Sequence, residues 1–283
     1  MATGARVPGL ALLVVASFTV QFGAALAATL FDDLGAGGTS ALRVTLAALV
    51  LLAIWRPSVR GLPRDDLVLV GALGLVFGLM NLVFYEALAR IPLGVVVTIE
   101  FAGPLGVAIA LSRRRLDLLW VVLAATGIVV LADPGGGSLD ALGLVFALVA
   151  AAAWAVYILL AERASRRFAG GRGLALAMAV GALVPLGPGI HDAGLDLLEP
   201  RWLALGLAVA LLSSVIPYSL ETEALRRIPR NVFGVLMSLD PAIAALAGFV
   251  VLGQDLGARE LVAIALVVGA SIGATRTNPV IDG

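Results

Sequence analysis

Glu86-Ala87-Leu88-Ala89-Arg90-Ile91-Pro92 recurs 137 positions later as Glu223-Ala224-Leu225-Arg226-Arg227-Ile228-Pro229, with six of seven residues identical. The same offset pairs Pro104 with Pro241. Each copy closes one apolar segment and opens another. Chance similarity of two helix ends would not also supply a matching proline inside the next segment. The chain therefore reads as a duplication, and its two halves set the fold.

Outward from this pair, apolar segments run at 10–30, 36–55, 67–89, 92–111, 118–132, 141–161, 174–190, 201–220, 230–251 and 258–275. Apolar residues make up 61% of the chain, charged residues 13%, and mean hydropathy is +1.07. A soluble domain carries about 25% charged residues, so too little polar surface is present to face water all round. Read as membrane, 283 residues accommodate about ten spans of about 20 residues. In hydrocarbon every backbone polar group needs an internal partner, which predicts helices; membrane strands would alternate polar and apolar, and these segments do not. The fifth and seventh segments are short for a span. The first could be mistaken for a signal peptide, with Arg6 before it and Ala25-Leu26-Ala27 as an apparent cleavage site. Ser17, Thr19 and Gln21 interrupt it, and its removal would destroy the duplication.

Arginine sets the expected topology. With the N-terminus inside, fifteen arginines fall on cytoplasmic segments: Arg6, Arg56, Arg60, Arg64, Arg113, Arg114, Arg115, Arg163, Arg166, Arg167, Arg172, Arg226, Arg227, Arg230 and Arg276. Three, Arg90, Arg201 and Arg259, fall outside, and Arg43 lies within a span. This positive-inside bias predicts both termini in the cytoplasm and an even span number. The first repeated motif then lies outside and the second inside. Two five-helix repeats, 10–132 and 141–275, are expected to be inverted relative to one another. Inverted repeats mark many secondary transporters, whose site lies near the bilayer midplane.

Composition also excludes chemistry. The chain has no Lys, hence no phosphate-loop lysine and no Schiff base; it has no Cys and a single His, His191. No metal or cofactor is expected, and a net charge of zero suggests no nucleic-acid partner. The stretch Asp133-Pro134-Gly135-Gly136-Gly137-Ser138 lacks the Gly-Lys of a phosphate loop and reads as a linker between the halves. His191, beside Asp192, reads as solvated. The Arg113–Arg115 run reads as a topology determinant in contact with anionic headgroups.

Polar residues inside spans cost about 2.5–3.5 kcal/mol for Arg or Asp at a helix centre. Counting about 1.5 Å per residue from the outer ends puts Arg43 at about 10 Å, Glu100 and Asn81 at about 12 Å, Gln21 at about 14 Å and Asp240 at about 16 Å. Five spans thus contribute to one layer. Pro104 lacks the N–H that would meet the Glu100 carbonyl, and Pro241 does the same to Met237. Each half is expected to hold a kinked helix with an acid and an orphan carbonyl at mid-depth. Such backbone is tolerated where it lines a cavity or is buried in protein.

The functional reading gives Glu100 a substrate amine or an exchangeable proton, since burial disfavours a charged carboxylate, and Arg43 a substrate carboxylate. The alternative is an Arg43–Glu100 ion pair that locks two helices. Asp240 either joins the site or caps the kink. Asn81 and Gln21 either line it or bond neighbouring helices. Trp154 and Tyr157, deeper toward the cytoplasm, read as substrate wall, gate or packing. Tyr85 reads as an interfacial anchor. Glu221 and Glu223 read as a solvated helix end or a vestibule.

The stretches PLGVVVTIEFAGPLGVAIALSRRRLDLLWVVLA (92–124), AAAWAVYILLAERA (151–164) and IPYSLETEALRRIPRNVFGVLMSLDPAIAALAG (216–248) resemble the EamA-type branch of the drug/metabolite transporter superfamily. The segments EFAGPL and LMSLDPA are most similar to its bacterial threonine/homoserine exporters. The resemblance covers nearly the whole chain. It implies ten helices in an inverted five-plus-five arrangement, inner-membrane location and outward transport of amino acids or related metabolites. Asp240 stands where that subgroup usually has Glu, and Glu86 where a neutral residue is more common. The leading expectation is an amino-acid exporter working by alternating access, driven by a proton or another gradient. Export of nucleosides, drugs or other metabolites is the alternative within transport. A membrane enzyme or receptor is the alternative outside it.

Overall fold

The computed structural model describes residues 9–110, 117–132, 139–225, 227, 233 and 236–277. Arg6, Arg113–Arg115, the stretch Asp133–Ser138, Arg226 and Arg230 lie outside the described residues. Within them the structure is helical, with no strand. The helices are α1 (Gly9–Ala28), α2 (Phe31–Trp55), α3 (Arg64–Leu88), α4 (Leu93–Glu100), α5 (Ala102–Ala110), α6 (Asp117–Ala132), α7 (Ala141–Arg167), α8 (Arg172–Gly181), α9 (Leu183–Ala193), α10 (Pro200–Ala210), α11 (Ile216–Leu225), α12 (Asp240–Leu252) and α13 (Ala258–Thr277).

Among the described residues, six helical stretches are long and apolar enough to cross a membrane: Gly9–Ala28, Phe31–Trp55, Arg64–Leu88, Ala141–Arg167, Arg172–Leu198 and Pro200–Glu221. Leu93–Val107, Leu119–Val130 and Asp240–Leu252 are shorter apolar helices. The fifth segment is short, as expected. The seventh is not. Pro185 and Pro188 kink it without ending it, and a 3-10 turn at Gly194–Leu198 extends the helical run past Ile190. Large apolar side chains such as Leu49, Val68, Leu75, Val122 and Phe249 point outward, as lipid contact requires.

Local chemistry fixes the helix ends. Asp140 caps α7, its Oδ1 accepting the Gly143 N–H at 2.6 Å. Arg166 and Arg167 close α7 at its negative pole. Gly35, at φ 68° and ψ 169°, interrupts α2 in a conformation that L side chains avoid. The Gly37 N–H beyond that break is taken by Asp192 Oδ2 at 3.0 Å. This contact ties the start of α2 to the end of α9.

The bundle has two distinct ends. The Arg167–Asp66 ion pair, 2.7 Å, joins the end of α7 to the start of α3, and the Trp55 ring lies against Gly170 and Gly171. This is the arginine-rich end. The opposite end carries Asp32, Asp33, Asp192 and Asp196. Between them α4 and α12 touch closely: a Cβ on Gly94 would stand 2.8 Å from Ala245 Cα. α1 packs on α11 and α12, and α3 packs on α7 and α8. Polar side chains are buried inside this packing.

Candidate functional site

Arg43 is the centre of the buried polar layer, with 6% of its surface exposed. Its Nε donates to Ser214 Oγ at 3.2 Å, Nη1 to Tyr85 Oη at 3.3 Å and Nη2 to the Ser213 carbonyl at 3.0 Å. The guanidinium also stands 5.4 Å from the Tyr85 ring centroid. The Ser213 carbonyl is available for a local reason. Residue 217 is a proline, so the N–H that would bond Ser213 does not exist. The helix answers with a wide π turn at Leu211–Val215, in which the Ile216 N–H reaches the Leu211 carbonyl.

Glu100 closes α4 and is 9% exposed. Its carboxyl is within electrostatic reach of Arg43 and of Asp240. Among the described residues no direct ion pair joins Arg43 to Glu100, so the locking ion pair considered from the sequence is not formed. The helix breaks at Phe101, three residues before Pro104. Asp240 opens α12 with Pro241 in the first turn and is 2% exposed. Ser17 of α1 lies beside it, and its Oδ1 has no hydrogen-bond partner. A buried carboxylate oxygen without a donor is costly, which suits a position awaiting a ligand.

The other sequence candidates divide. Gln21 is buried one turn past Ser17 on α1. Asn81 is buried too, but its Nδ2 donates to the Phe77 carbonyl of its own helix at 2.8 Å rather than across to another. Trp154 packs edge-on against Phe101, at the break, with centroids 5.2 Å apart. Tyr157 meets Phe77 at 5.9 Å, and the Tyr218 hydroxyl lies within hydrogen-bonding reach of its own. His191 is exposed. Tyr85 is no interfacial anchor: it is fully buried and its hydroxyl serves Arg43. Glu221 is half-buried rather than a solvated end, and faces Tyr157 and Tyr218.

A buried guanidinium, two buried carboxyls and the proline-freed Ser213 carbonyl in an apolar bundle suit a passage for a polar solute. Known proteins agree. Residues 141–276 match the EamA-like transporter family. The threonine/homoserine exporter RhtA of Escherichia coli (strain K12) is 40% identical over 268 residues, covering 94% of this chain and 90% of that protein. RhtA of Salmonella typhimurium (strain LT2) is 40% identical over 267 residues with the same coverage. The chain belongs to the EamA-like transporter family. A crystal structure at 19% identity shares its fold, with a TM-score of 0.60 over 96% of this chain and 99% of that one. As an EamA-like transporter the chain is a multi-pass inner-membrane protein that carries a small molecule.

Within this transporter the residues that sequence reasoning passed over are Ser213, Ser214 and Tyr218. One signal was present. Ser213-Ser214 followed by Pro217 inside an apolar segment marks a carbonyl without a donor, and Arg43 is the buried donor left to find it. That is the logic applied above to Pro104 and Pro241, extended to a third proline.

Proposed function

We propose that this transporter exports amino acids of the threonine/homoserine kind from the cytoplasm by alternating access, in exchange for protons. The observation that carries the reading is the buried charge arrangement: one guanidinium, Arg43, with Glu100 and Asp240 within electrostatic reach of one another. A zwitterionic substrate brings the complementary pair. Arg43 takes the carboxylate, with two guanidinium N–H groups still free beyond those engaged. Asp240 takes the ammonium, and Glu100 exchanges the proton. Gln21, Asn81, Trp154 and Tyr157 line the passage. The 40% identity to threonine/homoserine exporters supports the substrate class.

The mechanism uses ten helices as two inverted halves, 10–132 and 141–275, with both termini cytoplasmic. Helix packing supports this division, because the main neighbour pairs recur when the halves are exchanged. α2 packs on α8 and α9, α4 on α12, and α6 on α13. α3 packs on α7 as α11 packs on α1, and α3 on α8 as α10 on α2. α7 packs on α4 and α5 as α1 packs on α12. Rocking one half against the other about the Gly94–Ala245 contact would open the site to each side in turn.

The test is efflux from vesicles loaded with an amino-acid panel, with and without a pH gradient. Threonine and homoserine should leave fastest, and faster when the gradient draws protons inward. Vesicles that pass none of the panel but release nucleosides or drugs would overturn the substrate; a rate indifferent to the gradient would overturn the coupling.

A further inference from the structure

Three carboxyls, Glu100, Asp240 and Glu221, share the interior of the described residues with one guanidinium, Arg43, and uncompensated charge in an apolar interior is prohibitively costly. Arg43 balances one of them. The other two must hold protons whenever substrate is absent, and one of these two, Glu221, has no part in the substrate site described above.

We propose that Glu221 is the proton-exchange group of the arginine-rich end, linked to Glu100 through the paired hydroxyls of Tyr218 and Tyr157. This rests on the proton-coupled reading above. Glu221 stands three residues past Tyr218 on α11, so the two share a helix face. Phe77 of α3 fixes both tyrosines, with centroids 6.3 Å from Tyr218 and 5.9 Å from Tyr157. The two phenols are hydrogen-bonding neighbours, and each lies within electrostatic reach of Glu221. Tyr218 is also within reach of Glu100 and Arg43. Charged and titratable groups facing Glu221 are therefore Tyr157 from α7, Tyr218 from its own helix and Asp240 from α12. α1, packed along α11, offers none. Half-buried where the others are buried, Glu221 is the acid of the three nearest water.

The transfer balances. A phenol donates and accepts, so it passes one proton on while receiving another. Glu100 gives up its proton as the substrate's ammonium enters between it and Asp240 and the substrate's carboxylate meets Arg43. Glu221 has released its own proton to water at the arginine-rich end, and the proton leaving the other side of the phenol pair replaces it. One proton has then passed from Glu100 to water, and Glu221 is protonated again for the next cycle.

The experiment compares wild type with Glu221→Gln and Glu221→Asp in proteoliposomes. Two rates are read: threonine efflux under a pH gradient across a pH series, and exchange of labelled for unlabelled threonine, which needs no net proton movement. Glu221→Gln should slow gradient-driven efflux on the order of a hundredfold, the low end for loss of a positioned proton-transfer group, and flatten its pH profile. Exchange should persist in the same vesicles, which also shows a folded carrier. Glu221→Asp should restore part of the gradient response. If Glu221→Gln keeps the wild-type gradient response, or loses exchange and efflux together, the proposal is wrong. Wild-type vesicles that move no threonine at all would instead refute the export reading itself, a separate and recognisable outcome.

Discussion

At Phe101 one residue leaves the helix between α4 and α5, and the ladder carries on around it: the Phe101 N–H meets the Val97 carbonyl at 3.0 Å and the Leu105 N–H meets the Phe101 carbonyl at 3.2 Å. At Asp240 the opposite happens. Ser238 and Leu239 form a turn, and a new helix starts at the acid itself. Glu100 thus sits inside a rod that only bends, while Asp240 sits at the positive pole of a fresh one. A helix N-terminus favours an anion by about 0.3–1 kcal/mol, and more where partly buried. Glu100 has no such support. Under the proposed function, the two acids beside prolines therefore suit different tasks: Asp240 as a standing negative charge for an ammonium, Glu100 as the group that takes up and releases a proton.

The largest effect should come from removing that proton. Glu100→Gln keeps the volume and hydrogen-bonding capacity but cannot ionise, so gradient-driven export should fall on the order of a hundredfold or more. Asp240→Asn should act otherwise. Losing one charged partner of the ammonium is worth about 1.5–3 kcal/mol, which raises KM about tenfold or more and leaves the response to pH in place. Efflux kinetics across a pH series, with thermal unfolding as a check on folding, separate the two. If both variants show the same phenotype, the distinction between a bent rod and a new helix start carries no functional meaning.

How much of this was legible in the sequence depends on which forces set each feature. The apolar rods were legible, because hydrocarbon leaves helices as the available solution. So were the breaks beside Glu100 and Asp240, because a proline removes a hydrogen bond wherever it lies. The surroundings of Arg43 were not. Depth along a segment says nothing of rotation about the helix, so counting residues sets Tyr85 near an outer surface, whereas it turns inward to Arg43. Glu221 departs from a solvated helix end for a related reason. The π turn at Leu211–Val215 inserts a residue and re-aims the helix face beyond it, and α11 continues to Leu225. A residue just past an apolar segment then lies half-buried against Tyr157 and Tyr218.

A smaller effect is expected at Arg43 if its charge is kept. Arg43→Lys leaves a cation but not the planar fork that reaches Ser214, Tyr85 and the Ser213 carbonyl together. An ammonium can serve part of this set, and the remaining buried acceptors lose their donor at about 1–3 kcal/mol. Export should drop about tenfold through KM, with a lowered unfolding temperature. The pH profile should stay in place, because Glu100 is untouched. A shift of that profile as large as the one produced at Glu100 would mean that Arg43, not the helix geometry, decides which acid carries the proton.

The smallest change tests the helix start alone. Asp240→Glu keeps the charge and the position at the first residue of α12, and adds one methylene. The macrodipole still favours the anion, so the pH response should not move. What changes is reach. The carboxylate extends toward the bound ammonium, and a methylene is worth about 0.8 kcal/mol, enough for a roughly fourfold change in the preference between a shorter and a longer amino acid. Competition between unlabelled threonine and homoserine for labelled efflux reads this directly. A changed ranking with an unchanged pH profile means that Asp240 measures the substrate and does not titrate. A moved pH profile with an unchanged ranking would hand the proton to Asp240 and reverse the roles of the two acids.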